Sequence, residues 1–167
     1  LTLTTSGDLS NQAGSNVEVG VANLVAGGDI DLSRSRGDIT FNQGVELDAG
    51  GAISVLASSS LPLGDVIAAT NLTLDTQATQ ITQAAGTSVR AGGATVLISG
   101  GSIRLPQASN SLGETVNFQA PGVVALETAG DLNLTGDNSA ASQLTLAALG
   151  SVTLADDGTV AANTAQT

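Results

Sequence analysis

The sequence predicts an all-β protein folded as a right-handed parallel β-helix, or β-solenoid, of about eight coils of roughly 21 residues. Three observations lead to this prediction: an alternating apolar phrase recurs along the chain, its period is close to 21 residues, and aromatic residues make up only 1% of the chain. A strand this short cannot bury its apolar face alone, so its repetition indicates that successive copies stack on one another.

The recurring phrase is a small or turn residue, often Gly, followed by alternating apolar and polar residues. We expect each copy to form a strand with two apolar side chains on one face and polar side chains on the other. We also expect the glycines to start the strands, where the chain turns with φ values that other residues resist. The copies lie at 28–32, 37–41, 51–55, 71–74, 101–105, 130–134 and 150–154.

The spacing between phrases gives the length of one coil. Gly7 to Gly28 is 21 residues, Gly28 to Gly51 is 23, and Gly51 to Asn71 is 20. Stacked strands lie about 4.8 Å apart, so about eight coils would make a rod about 38 Å tall. Right-handed coiling is expected because crossovers between parallel strands of one sheet are overwhelmingly right-handed. The repeat changes phase after Glu114, and the sequence offers no reason for that change.

Other repetitive folds fit the pattern less well. An antiparallel sandwich also has short strands, but it does not need the same phrase at a fixed offset. A leucine-rich repeat requires a fixed Leu/Asn consensus and a helical half, and neither is present. No stretch maintains a helical period for three turns, so helices should be scarce.

The inner face of the solenoid is predicted to be a narrow aliphatic core. One vertical ladder should contain Ile30, Ile53, Leu72, Val96 and Val116. The full set of predicted core residues is Leu3, Leu9, Val17, Val19, Ile30, Leu32, Ile39, Phe41, Val45, Leu47, Ile53, Val55, Leu72, Leu74, Ile81, Val89, Val96, Ile98, Ile103, Leu105, Val116, Phe118, Val124, Leu126, Leu132, Leu134, Leu144, Leu146, Val152 and Leu154. The stretches 56–65 and 106–113 break the rhythm and are predicted to be loops that leave the wall.

Composition and charge exclude several classes of partner. The net charge of −11 and the absence of a basic patch argue against nucleic acid and against anionic membranes. No segment is long and apolar enough to insert into a membrane, and no cysteine is available for disulfides. The chain starts with a strand-like Leu1-Thr2-Leu3 rather than with Met. We therefore interpret residues 1–167 as one β-helix segment, part of a longer chain or of a stacked filament.

Several residues suggest sites, but each has a simpler explanation. Arg36-Gly37-Asp38 spells an integrin-binding tripeptide, although Gly-Asp recurs along the chain as a turn element. Asn71 and Asn133 start glycosylation sequons that coincide with the strand phrase. Carboxylates could bind Ca²⁺, yet a solvated acidic face is the favoured interpretation. The candidate calcium ligands are Asp29, Asp31, Asp48, Asp156 and Asp157.

Catalysis has little support in the sequence. His, Cys, Lys and Tyr are all absent, which removes most general bases and nucleophiles. Paired carboxylates leave a carbohydrate-active β-helix enzyme as a distant alternative. We predict no enzyme activity and no catalytic, cofactor-binding or metal-binding residues.

The phrases at 26–32, 48–55 and 90–96 resemble the repeats of filamentous-haemagglutinin-type exoproteins, the large substrates of bacterial two-partner secretion. The resemblance covers nearly the whole chain, but related phrases also occur in other bacterial β-helical surface proteins. It implies a right-handed β-helix, a location at the bacterial cell surface or beyond it, and a shaft or adhesive role. It also implies an outer-membrane transporter and a host or neighbouring-cell surface as partners. The Asn-Pro-Asn motifs of the family's secretion domain are absent.

The function predicted from these observations is a structural shaft or adhesin stem segment of a secreted bacterial surface exoprotein. The alternative is a subunit of a self-assembling extracellular β-helical filament. In either case the nearest partners are adjacent β-helix coils of the same or neighbouring chains, because the ends of a β-helix present unpaired strand edges.

Overall fold

The strands stack in parallel into two columns, one coil above the other, in the computed structural model of the chain. The structure describes residues 1–34, 39–77, 79–162 and 165–166. Every strand pair that it records there is parallel, and the coils form a β-solenoid of about seven turns, about 21 residues apart, with no helix among the described residues. The predicted fold class and period are confirmed, with about one turn fewer than expected. The right-handed sense of the coil stays a prediction.

The two columns are called sheet A and sheet B. Sheet A contains β1 (Thr2–Thr5), β3 (Val17–Ala26), β5 (Ile39–Ala49), β7 (Leu61–Ala68), β9 (Ile81–Gln83), β10 (Val89–Ala91), β12 (Ile103–Leu105), β13 (Ser111–Leu112), β15 (Val124–Thr128), β18 (Leu144–Ala148) and β21 (Ala165–Gln166). Sheet B contains β2 (Leu9–Ser10), β4 (Ile30–Leu32), β6 (Ile53–Ala57), β8 (Leu72–Thr76), β11 (Ala94–Ser99), β14 (Thr115–Ala120), β16 (Leu132–Leu134), β17 (Asp137–Ala140), β19 (Val152–Leu154) and β20 (Thr159–Ala162).

The inward side chains form continuous vertical ladders between the sheets. In sheet B, Leu9 pairs with Ile30, Ile30 with Ile53, and Ile53 with Leu72. Ile30, Ile53 and Leu72 are each at most 1% exposed, so each contributes roughly 1.5–3 kcal/mol of burial free energy before entropy is counted. The narrow interior explains why aliphatic residues suffice: each layer is filled by side chains from only a few short strands.

The predicted core is confirmed through the middle coils and fails at the ends. Leu3, Val152 and Leu154 lie in the first and last coils and are 41%, 43% and 50% exposed, because each has a stacked coil on one side only. Leu9, Val17 and Val19 are partly buried against the same core. The remaining predicted residues are buried, except for two in β11.

The strand phase predicted for β11 is wrong by one residue. Thr95 and Leu97 point inward, whereas Val96 and Ile98 lie on the outer face and are half-buried. Thr95 pairs with Leu72 on one side and Val116 on the other, so it occupies the ladder position that was expected for Val96. The register with the neighbouring coils has overridden the hydrophobic pattern of this strand.

The two predicted loops are partly strand. The stretch 56–65 contains the end of β6 and the start of β7, and Leu61 and Leu63 are buried on either side of Pro62. The stretch 106–113 leaves the wall only as far as Asn110, after which β13 returns Leu112 to the core. The serine and proline content of these stretches predicted loops incorrectly. Buried residues alternate with the serines and prolines, so parts of both stretches remain in the wall.

The change of phase after Glu114 is a local detour of the chain. Val116 pairs with Leu134, and Ala120 pairs with Ala140. The first pair is 18 residues apart and the second is 20, so the upper coil holds two extra residues between these positions. The extra chain passes through Gly136, whose φ is 61°, before β17 rejoins the sheet.

Candidate functional site

Stacked residues at the turns into β2, β4, β6, β8 and β11 form a row in which polar side chains bond one coil to the next. This turn row consists of Asp8, Asp29, Ala52, Asn71 and Ala94. An oxygen of Asp8 accepts a hydrogen bond from the Asp29 N–H at 2.9 Å, and Asp29 accepts one from the Ala52 N–H at 2.8 Å. The Asn71 amide oxygen accepts one from the Ala94 N–H at 2.9 Å. These bonds satisfy turn N–H groups that the strand ladders do not reach.

The same device occurs at other turns of the solenoid. Asp65 accepts a hydrogen bond from the Ser88 N–H at 2.8 Å, and Asp131 accepts one from the Ser151 N–H, also at 2.8 Å. The Ser102 hydroxyl accepts one from the Val123 N–H at 3.1 Å. The recurring Gly-Asp and Gly-Ser phrases therefore act as bridges between coils.

Three glycines at the turn row are required by the bridging side chain in the preceding coil. A Cβ added to Gly28 would overlap the Asp8 carboxylate, and one added to Gly51 would overlap the Asp29 carboxylate. A Cβ on Gly93 would likewise overlap the Asn71 amide oxygen.

The turns above the two alanines of the row show the converse. One coil above Ala52 lies Asn71, and the residue before Asn71 is Thr70 rather than glycine. The residue one coil above Ala94 is Thr115, and it is preceded by Glu114. Where the turn row has an alanine, the residue before its partner in the next coil therefore need not be glycine.

The predicted reason for these glycines is thus wrong. Gly28, Gly51 and Gly93 do not have left-handed φ values. Among the described residues, left-handed glycines occur instead at Gly14, Gly86, Gly113 and Gly136. The glycines at the strand starts are there because two backbones and one side chain approach closely, which is the other common reason for glycine.

The five carboxylates proposed as calcium ligands are not brought together. Asp29 bridges two coils, and Asp48 lies on the outer face of sheet A. Asp31 accepts hydrogen bonds from the Ser33 hydroxyl and the Arg34 guanidinium, each at 2.6 Å. The Ser33 hydroxyl is the largest of the causes that lower the pKa of Asp31, and Arg34 adds to it. No group of three acidic residues in the described ranges is placed to bind a metal ion.

The two sequon asparagines have structural partners. Asn71 bonds the Ala94 N–H, as described above. Asn133 donates to the Glu114 carbonyl at 3.2 Å and accepts a hydrogen bond from the Thr153 hydroxyl. The tripeptide Arg36-Gly37-Asp38 lies outside the described residues.

Two buried asparagines, which the sequence analysis did not single out, close the detours of the chain. Asn110 accepts a hydrogen bond from the Val89 N–H at 2.8 Å, and its amide donates to the Leu105 and Glu127 carbonyls. Asn138 accepts one from the Phe118 N–H at 3.0 Å and donates to three carbonyls, including that of Thr159. Both asparagines precede a serine at a break in the repeat, which is the signal that could have identified them.

Sheet B carries an apolar outer column with one charge, which we call the Asp75 column. It consists of Leu56, Asp75 and Ile98, which pair in register on three successive coils. All three side chains are half-buried. Burial raises the pKa of the Asp75 carboxyl above its ordinary value. The neighbouring outward residue Val96 extends the apolar surface beside this column.

Sheet A carries a second outer column, which we call the Arg90 column. It consists of Asp48, Ile67 and Arg90, again in register on three successive coils. Ile67 is 41% exposed and Arg90 is exposed. In the described part of the chain, Arg90 makes no ion pair, whereas Arg34 is bonded to Asp31.

The open end of the first coil forms an apolar cavity of about 280 Å³. Leu1, Leu3, Leu9 and Phe41 contribute to its walls, and the loop 11–15 forms part of its rim. At the other end, the last coils expose Leu149 and Val160 together with Val152 and Leu154. Both ends therefore present the same aliphatic chemistry as the core.

The comparisons with known proteins place part of this chain in a repeat class. Residues 50–119 match the model of a family described as repeats of unknown function (DUF5649). No curated protein and no solved structure matches the chain. In the ranges that the structure describes, no helix is long and apolar enough to cross a membrane. The matched residues include the Asp75 column and three members of the turn row.

Proposed function

We propose that this chain is a structural shaft or adhesin stem segment of a secreted bacterial surface exoprotein. The observation that supports this most is the use of the polar side chains. The turn row and the buried asparagines bond coil to coil along the stack, which is the arrangement that a distance-spanning rod requires. We propose no enzymatic role, since the chain contains no His, Cys, Lys or Tyr to act as general base or nucleophile.

The extracellular location and the partners rest on the sequence resemblance. A filamentous-haemagglutinin-type exoprotein would pass through an outer-membrane transporter and present its shaft toward a host or neighbouring cell. The absence of cysteine, Lys and His suits a shaft whose stability comes from stacking alone. The match to a repeat family is consistent with this proposal and says nothing of location.

Surface labelling of the source bacterium tests the proposal. An antibody raised against the purified chain should label intact, unpermeabilised cells, and an in-frame deletion of the segment should shorten the labelled projection without abolishing secretion. Labelling that requires permeabilisation would exclude the surface role. Projections of unchanged length after the deletion would exclude the shaft role.

A second candidate is a subunit of an extracellular filament in which chains stack end to end. A stacked copy would cover the apolar side chains exposed at both ends, such as Leu3 and Leu154, as would further coils of a longer chain. Electron microscopy of the concentrated chain distinguishes this candidate, since it predicts filaments whose width is that of a single solenoid. A filament should also lose its ability to grow when Leu154 is replaced with Asn.

A further inference from the structure

The outer face of β11 is more apolar than its inner face. Its outward residues are Ala94, Val96 and Ile98, whereas two of its three inward residues, Thr95 and Ser99, are polar. An isolated solenoid would be better solvated with this strand in the opposite phase. The arrangement is reasonable if the outer face of sheet B is covered by a partner surface.

The Asp75 column indicates what that surface must offer. A carboxylate lies between Leu56 and Ile98, and these two apolar neighbours reduce its access to water. A partner that covered this column with apolar groups alone would bury an uncompensated charge, which is costly. The complementary surface therefore carries an aliphatic side chain and, one strand spacing away, a cation.

The Arg90 column of this same chain has that pattern. Along the chain Leu56 in β6 is followed by Ile67 in β7, and Asp75 in β8 is followed by Arg90 in β10. In each column an aliphatic residue is thus followed, one coil later, by a charge, and the two charges have opposite signs. Adjacent coils in both columns are separated by the same strand spacing of about 4.8 Å.

We infer that two copies of this solenoid associate side by side, parallel and in step, with the Asp75 column of one copy against the Arg90 column of the other. Leu56 then faces Ile67 of the neighbouring copy, and Asp75 faces its Arg90. The two surfaces differ, so the contact is heterologous and each copy keeps one free surface for a further copy. This contact uses the sides of the rod and leaves both of its ends free.

Charge reversal tests the pairing directly. Self-association of the whole chain is measured by sedimentation equilibrium at about 0.15 M salt, where the repulsion between chains of net charge −11 is screened beyond about 8 Å. Asp75→Arg and Arg90→Asp should each weaken association at least about tenfold, which corresponds to about 1.4 kcal/mol. The double variant should recover most of the loss, because its contact again joins one carboxylate and one guanidinium.

Two controls change the net charge equally at other outward positions. Glu127→Arg matches Asp75→Arg, and Arg104→Asp matches Arg90→Asp. Both controls should associate like the unchanged chain, and circular dichroism should show the same strand content for all variants. Sedimentation of an equimolar mixture of the two single variants should show association close to that of the unchanged chain, because every contact between unlike variants joins one carboxylate and one guanidinium.

Several outcomes would overturn the inference. One is a chain that stays monomeric at concentrations up to about 1 mM. Another is a double variant no better than either single variant, or controls that weaken association as much. If Leu154→Asn loses association and Asp75→Arg associates like the unchanged chain, the copies join by their ends.

Discussion

At the turn row, the identity of a residue depends on the side chain one coil before it. Gly51 lies over the Asp29 carboxylate, whereas Thr70 lies in a coil that stacks on Ala52. The sequence alone shows that glycine and aspartate recur together. It does not show which aspartate restricts which glycine, because the two partners are about 21 residues apart and belong to different phrases.

A double-variant cycle tests this dependence. Gly51→Ala should lower the free energy of unfolding by about 1–3 kcal/mol, because the new methyl group overlaps the Asp29 carboxylate. In an Asp29→Ala background the same change should cost much less, so the two effects should not add. Urea denaturation measures both. Gly130→Ala is the matched control, since a Cβ there meets nothing within 4 Å. Additive effects of the two changes would contradict the dependence.

Thr95 offers a second test at the scale of one side chain. Its hydroxyl oxygen is buried in the ladder between Leu72 and Val116 and has no hydrogen-bond partner among the described residues. Thr95→Val keeps the shape and removes the unsatisfied group, so the free energy of unfolding should rise by about 1 kcal/mol. The outward Thr73→Val should change it little. If Thr95→Val destabilises the chain, the inner face of β11 is assigned wrongly.

At the scale of the strand, the fixed offset between coils decides orientation when the hydrophobic pattern is ambiguous. For β4, β6 and β8 the alternation of the sequence predicts the correct inward residues. For β11 it does not, since Ala94-Thr95-Val96-Leu97-Ile98 has apolar residues on both faces. The turn row settles the phase, because Asn71 bonds the Ala94 N–H and thereby aligns Thr95 with Leu72.

The phase of β8 can be tested by two neighbouring substitutions. Leu72→Asp places a carboxylate in the core at a position that is 0% exposed, and should cost more than about 3 kcal/mol and open the rod locally. Thr73→Asp places the same group on the outer face and should cost little. Limited proteolysis followed by mass spectrometry compares the two. Faster cleavage of Thr73→Asp than of Leu72→Asp would mean that the ladder is one residue out of phase.

Each detour that interrupts the repeat is stabilised by the side-chain amide of one buried asparagine. Asn138 is 1% exposed, and its side chain bonds the Phe118 N–H and three carbonyls. Asn138→Ala should cost about 2–3 kcal/mol, because it leaves buried groups unpaired.

Asn117→Ala is the control for this variant. Asn117 also donates to two carbonyls, but its side chain is only half-buried, so water can replace it and the cost should be smaller. Hydrogen exchange should show increased opening of β14 and β17 only in the Asn138 variant. Equal costs for the two variants would argue against a closing role for Asn138.

At the scale of the whole molecule, short-range repetition produces a continuous rod. The period, the parallel stacking and most of the aliphatic core can be predicted from the sequence, because each coil repeats nearly the same phrase. The surfaces cannot be predicted in this way. The Asp75 and Arg90 columns join residues that are adjacent only after stacking. No phrase of the sequence contains two members of the same column.

Disulfide trapping tests the parallel, in-register stack most directly, since the chain contains no cysteine of its own. Ser54 and Thr73 are register partners on the outer face, so their Cα atoms should lie about 4.8 Å apart, within disulfide range. Asn117 lies in the same column, three coils from Ser54 and about 14 Å away. The account predicts that Ser54→Cys with Thr73→Cys closes within one chain on mild oxidation, while Ser54→Cys with Asn117→Cys does not. Closure of the second pair but not the first would contradict it.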